Sequence, residues 1–171
     1  MGFFSNLFTK KKVLPPADLS VLEVDVHSHF IPRLDDGSQS SKETFELLEN
    51  MIQLGYRKVI TTPHVMMDFY KNTSDGIIKG LDEIREKVLK QGLTIDIEAA
   101  AEYYCDDFFM EMIKKKDLLT FGDNYVLFEL PFTSEPRMMK DCIFDMQMAG
   151  YKPVLAHPER YSFWYHDFEK Y

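Results

Sequence analysis

Three features of this sequence predict an α/β fold of parallel βα repeats. From Val21 onward, five short apolar runs alternate with stretches of helical periodicity. Strands parted by helices in that order require right-handed crossovers and a parallel sheet. Each run also ends on or near a histidine or a glutamate. In parallel α/β folds the loops converge on a functional site at the carboxyl ends of the strands.

The strand candidates are residues 21–27 (VLEVDVH), 57–64 (RKVITTPH), 94–102 (TIDIEAAAE), 125–131 (YVLFELP) and 152–158 (KPVLAHP). Helices are predicted over 41–54, 74–91, 105–116 and 135–149. In the first helix Ser41 can cap, residues 44–46 fill the first turn, and Gly55 ends it. Phe45, Leu48, Met51 and Ile52 recur at three- and four-residue spacing, so one face is buried. The fourth closes on Gly150 before the fifth strand. The final SFWYHDFEKY reads as a further helix cut short, in which Trp164 and His166 are packing or surface residues. Neither a repeat nor a low-complexity segment interrupts the series.

Length and composition narrow the possibilities. A chain of 171 residues fits one domain with a real core. We read residues 1–20 as a flexible leader and 21–171 as the domain. The opening MGFFSNLFTKKK lacks charge before its apolar residues, and Ser5 and Asn6 break the run, which argues against a signal peptide. Asn6 stands where myristoylation wants Ser or Thr. Membrane contact is left to this aromatic-basic leader or to a membrane-bound partner, since no stretch reaches the roughly 20 apolar residues of a span. A net charge of −8 argues against nucleic acid as a partner. Two cysteines far apart in sequence point to no disulfide framework and to a reduced, cytoplasmic setting. Neither Cys105 nor Cys142 is followed at the sixth residue by arginine, so the Cys-x5-Arg chemistry of thiol phosphatases is absent.

The chemistry-bearing residues cluster by position. His27 and His29 end the first strand, His64 the second, Glu102 the third, Glu129 the fourth and His157 the fifth. Residues two apart on a strand share a face, so Asp25, His27 and His29 project together. Taken singly, each histidine reads as easily as a packed or capping residue. Together they read as a metal cluster. Asp35 and Asp36 precede Gly37 in what is either an ordinary turn or a carboxylate reaching the ion, and Asp36 is the candidate. Imidazole and carboxylate without thiolate suit zinc, manganese or iron. Arg160 is either a surface partner of Glu159 or a guanidinium fork for a phosphate. Among the aromatics after strand-end loops, Phe69, Tyr70, Phe108 and Phe109, most belong to the core, with one or two left to flank a substrate ring.

The segments DVHSHFIPRLDDGS, TTPH, AAAEYY, LFELPF and LAHPERY, in that order over residues 21–163, resemble the PHP (polymerase and histidinol phosphatase) superfamily of metal-dependent phosphoesterases. Within it they are most similar to the bacterial protein-tyrosine phosphatases of capsule and exopolysaccharide operons, the CpsB/YwqE type. That resemblance implies a distorted, TIM-like barrel, of which this chain holds five of roughly seven strands. It also implies a centre of about two to three ions, Mn2+ or alternatively iron or zinc, in which hydroxide generated at the metal attacks phosphorus. His27 and His29 would hold one ion and Glu129 would bridge, while Asp36, His64, Glu102 and His157 would complete the cluster and Arg160 would bind the phosphoryl oxygens. The implied partner is a phosphotyrosine protein, the C-terminal tail of a bacterial tyrosine kinase of polysaccharide export.

The sequence departs from that family in lacking a final Asp-x-His motif, so it reads as a C-terminally truncated member. An open sheet edge would then invite oligomerisation. Two other functions stay open at this point: a PHP phosphoesterase for a small substrate such as histidinol phosphate, and an inactive fragment acting as a binding module.

Overall fold

The computed structural model describes residues 20–165 and Glu169. Its strands are β1 (Val24–Ser28), β2 (Lys58–Thr61), β3 (His64–Val65), β4 (Asp96–Ala99), β5 (Glu102–Tyr104), β6 (Tyr125–Glu129) and β7 (Lys152–Leu155). All pair in parallel, in the orders β1-β2-β4 and β3-β5-β6-β7. Helices α1 (Ser41–Gln53), α2 (Ser74–Gln91), α3 (Asp107–Lys115) and α4 (Met139–Met148) lie between them. The predicted parallel βα series is therefore present, and among the described residues the sheet does not close into a barrel.

Two of the five predicted strands are interrupted. Thr62 and Pro63 part β2 from β3, and Ala100 and Ala101 part β4 from β5. Register survives the break, with Thr61 opposite Ala99 before it and His64 opposite Glu102 after it. Pro63 has no N–H to give to a ladder. The neighbouring strand still donates across the gap, from Ala100 N to Thr61 O at 2.9 Å and from Glu102 N to Pro63 O at 3.0 Å. The result is one run of five ribbons in chain order, creased at Pro63.

Several boundaries differ from the sequence reading, each for a local reason. Ser40, not Ser41, caps α1 by accepting from Glu43 N, and the Glu43 carboxylate accepts from Gln39 N. α4 begins at Met139 rather than at 135, after Pro136, whose carbonyl accepts from Met139 N. Of the final helix, only a 3-10 turn over Ser162–Trp164 falls among the described residues, with Trp164 buried, while His166 lies outside them. The leader lies outside them as far as residue 19. Cys105 and Cys142, remote in sequence, meet in the core as free thiols with sulfurs 3.2 Å apart. No helix among the described residues is long and apolar enough to cross a membrane.

The core lies between the sheet and its helices. α2 turns Ile77, Leu81, Ile84 and Val88 inward and packs on β4. A Cβ on Gly80 of that helix would stand 2.5 Å from Ile31 Cγ2, so glycine lets the loop after β1 lie against α2. Phe109 is buried and stacked on Tyr103, while Phe108 packs half-buried at the margin.

At the other end of the sheet, fully buried Tyr161 donates to Ala156 O at 2.9 Å and accepts from Leu130 N at 3.1 Å. It joins the chain beyond β6 to the chain beyond β7. Tyr161→Phe leaves a buried N–H and a buried carbonyl without this partner, a cost of about 1–3 kcal/mol. Urea denaturation should show the unfolding free energy falling by that amount, as a lower midpoint with the slope unchanged; an unmoved midpoint would remove this bridge from the fold's supports.

Candidate metal centre

The residues at the strand ends are brought together by irregular backbone. Between Asp25 and Ser28, β1 advances three residues while β2 advances two, from Val59 to Thr61. Such a bulge re-aims side chains, and the two threonines of TTPH hold it. Thr61 Oγ1 accepts from Phe30 N at 2.9 Å and donates to Ser28 O at 3.1 Å. Thr62 Oγ1 lies 3.3 Å from His27 Nδ1. The rings of His27 and His29 then stand 5.4 Å apart, edge to face.

The loop after β1 is built around Asp35. Its Oδ2 accepts from His29 Nδ1 at 2.6 Å and from the backbone N–H of His64 at 2.9 Å, while Oδ1 accepts from Gly37 N at 2.9 Å. One carboxylate thus orients two imidazole-bearing segments. A side chain at Gly37 would meet His29 Cβ at 2.3 Å, so only glycine permits this approach. Asn72 fastens the same loop, donating to Leu34 O at 2.9 Å and to His64 O at 2.8 Å.

Glu102 lies at the centre, its side chain 1% exposed. Oε1 accepts from His157 Nε2 at 2.8 Å. Oε2 faces three more imidazoles, with His64 Nδ1 at 3.3 Å, His29 Nε2 at 3.4 Å and His27 Nε2 at 3.7 Å, and forms a hydrogen bond with none of them. Glu129 stands beside it, 3.0 Å from His64 Nδ1 and 3.5 Å from His157 Nε2. The resemblance assigned the bridging position to Glu129, yet Glu102 has the more imidazole neighbours.

These donors suit metal ions. Ligand atoms about 2.0–2.2 Å from one ion stand roughly 3–3.5 Å from each other, close to the spacings around Glu102. Among the described residues, buried Asp25 Oδ2, His64 Nδ1, Glu102 Oε2 and His157 Nδ1 lack hydrogen-bond partners, which native interiors seldom tolerate without an ion or water. Three overlapping groups have ligand atoms within 4.8 Å of one another: His27, His29 and Glu102; His29, Asp36 and His64; His64, Glu102 and Glu129. Asp36, well exposed, joins through Oδ1, 3.6 Å from His64 Nε2.

Charge reinforces the geometry. Burial works to raise the Glu102 pKa, but the hydrogen bond from His157, the close approach of His29 and the charges of His27 and His64 bring it down to about 2. Burial likewise lowers His29, yet Asp35 and Glu102 hold it up at about 9, and Glu102 and Glu129 do the same for His157. His27, where burial prevails over the charge of Glu102, titrates below an ordinary imidazole. Desolvation pushes Asp25, near His27 and His29, upward.

His157 takes a left-handed backbone, φ 32°, at the head of the 3-10 turn Pro158–Arg160. Such backbone costs a non-glycine residue about 1–3 kcal/mol and is typical of functional positions. The turn keeps His157 on Glu102 and sends exposed Arg160 to a cleft of about 280 Å³ that Asp36, His64 and Glu129 also line.

All seven proposed ligands and Arg160 therefore gather at one end of the sheet. Sequence reasoning passed over three supports: Asp35, set aside for Asp36; Asn72; and Thr62. The Asp-Asp-Gly turn was the available signal for Asp35, since the aspartate two before a glycine can accept that glycine's N–H.

Known proteins share this arrangement of sequence. A family model described as "Capsular polysaccharide synthesis, CpsB/CapC" matches residues 23–171. Tyrosine-protein phosphatase YwqE of Bacillus subtilis (strain 168) is 31% identical over 138 residues, which cover 80% of this chain and 54% of that protein. Tyrosine-protein phosphatase CpsB of Streptococcus pneumoniae is 29% identical over 140 residues, 81% of this chain and 58% of that one. A solved structure from work on YwqE from Bacillus subtilis and CpsB from Streptococcus pneumoniae, described as "unique metal-dependent tyrosine phosphatases", superposes with a TM-score of 0.74 at 31% identity. It covers 80% of this chain and 56% of its own. The chain spans about half the length of the curated relatives it matches.

Two predictions follow from the electrostatics. In metal-free protein, His29 and His157 contribute stability that is fully present below about pH 6.5 and lost as pH rises through about 9. A metal must displace those protons, so Mn2+ affinity should climb between these limits by up to about tenfold per pH unit for each proton displaced. Competition with a chelator indicator across that range reads it; a flat profile would exclude these two imidazoles as ligands. Asp35→Asn should weaken Mn2+ binding about 10–100-fold by releasing His29, and an unchanged affinity would count against its orienting role.

Proposed function

Because the chain belongs to the CpsB/CapC family of capsular polysaccharide synthesis, we propose that it is a metal-dependent phosphotyrosine-protein phosphatase. The observation that carries this reading is a single buried oxygen, Glu102 Oε2, facing three imidazole nitrogens without a hydrogen bond. His27, His29, Asp36, His64, Glu102, Glu129 and His157 would hold two to three ions, on the order of a two-metal hydrolase site. Manganese is our assignment, with iron or zinc as alternatives. Bound ions supply a nucleophilic water at neutral pH and neutralise charge on the phosphoryl group.

The protein's own residues supply the rest. Arg160, at the rim of the cleft, presents a guanidinium fork to the phosphoryl oxygens. Asp35 fixes the tautomer of His29 by taking its Nδ1 proton into a hydrogen bond, which leaves Nε2 facing the cluster. Tyrosine leaves as a phenolate of pKa about 10, a far better leaving group than an alkoxide, so no strong general acid is needed. The natural substrate in this reading is a phosphotyrosine-bearing kinase tail of the polysaccharide export machinery, met in the cytoplasm.

The Mn2+-loaded chain should release phosphate from a phosphotyrosyl peptide faster than from histidinol phosphate, and chelator should stop it. Arg160→Ala should raise KM at least about tenfold, the worth of a charge-assisted contact, with metal content unchanged. No phosphate release from a chain shown to hold its metal would overturn the assignment. Faster turnover of histidinol phosphate would move it to small-molecule substrates.

A further inference from the structure

The segment MMDFYKN that follows β3 holds a phenylalanine in solvent beside the cleft. Met66 and Tyr70 close it with two backbone hydrogen bonds, Met66 N to Tyr70 O at 2.9 Å and Tyr70 N to Met66 O at 3.0 Å. Met67 N donates to Asp106 Oδ2 at 3.1 Å, which ties the loop to the cap of α3. The Tyr70 ring lies stacked on His64, 5.5 Å away and tilted by 15°. Phe69, inside this pinned loop, is 77% exposed.

A single exposed apolar side chain is ordinary. This one lines the same cleft as His64, Glu129 and Arg160. Among the other aromatic side chains of that cleft, Tyr70 covers His64, Phe132 lies 5.6 Å from His157 and 6.1 Å from Tyr161, and Tyr104 sits half-buried at the end of β5 opposite Glu129, whereas Phe69 stands out in solvent. Phe69 has no ring partner among them, although the loop's hydrogen bonds fix its backbone. A cleft whose inner members would bind anion and metal in the phosphatase reading, and whose rim carries an unstacked ring on a fixed loop, suits a ligand with a phosphate at one end and an aromatic ring at the other.

We propose that Phe69 is a specificity-determining residue that selects aryl over alkyl phosphate esters by stacking on the ester's ring. The inference rests on the phosphatase reading above and adds the residue that distinguishes tyrosine from serine or threonine. Offset or edge-to-face ring pairs strengthen binding by about three- to tenfold beyond the area they bury.

The test is calorimetry on the full Mn2+-loaded chain with two non-hydrolysable probes, phenylphosphonate and methylphosphonate. Wild type should prefer phenylphosphonate. Phe69→Ala should cut that preference about three- to tenfold and leave methylphosphonate unchanged, while Phe69→Trp should keep it. Because Phe69 packs against little, both variants should fold, with circular dichroism as the check. An intact preference in Phe69→Ala, or equal weakening of both probes, would overturn the proposal while leaving the phosphatase reading in place. Failure of wild type to bind either probe would overturn both.

Discussion

An ionised carboxylate removed from water costs several kcal/mol unless opposite charge and hydrogen bonds surround it. Glu102, buried at the head of β5, meets that condition with four imidazoles drawn from β1, the loop just after it, β3 and the turn after β7. The need runs both ways. His29 and His157 stay charged despite burial only because carboxylates face them. Without metal, protons hold this cluster together; in the proposed metal site an ion would take their place. The strand ends, the loop after β1 and the turn at His157 all converge on this one charge balance.

Backbone departures from regularity make the convergence possible. The register of β1 on β2 shifts between Asp25 and Ser28, beside His27 and His29. A straight β2 would run past Glu102 in an unbroken ladder, whereas Pro63 creases it while keeping His64 opposite Glu102. Gly37 allows the Asp35 turn to close against His29, and the left-handed His157 turns the chain back over Glu102. Strained or permissive positions thus accumulate where the donors meet, while the regular ladders and the α2 face supply the apolar burial that supports them.

How far the site could be read from sequence depends on the kind of evidence each residue leaves. His27, His29, His64 and His157 were legible because four of five histidines fall at strand ends, and strand ends are readable from apolar runs. Glu102 and Glu129 were legible by the same route. The central place of Glu102 was not, since position along a strand says nothing of how many partners meet there. Asp35 was passed over because a turn aspartate and an orienting aspartate look alike until a histidine 29 residues away is seen to share it. Cys105 and Cys142 show the same limit in the core, where 37 residues of chain separate sulfurs that touch.

The amino-acid order by itself determined the alternation of strand and helix, the parallel sense of the sheet and the residues at its carboxyl ends. These rest on local periodicity and on crossover handedness, and both act over a few neighbouring residues. Tertiary structure alone decided which carboxylate is shared, where the ladders crease, which aspartate orients and which aspartate reaches outward. Those outcomes depend on distances of about 3 Å between segments far apart in the chain. Only the packed fold sets such distances.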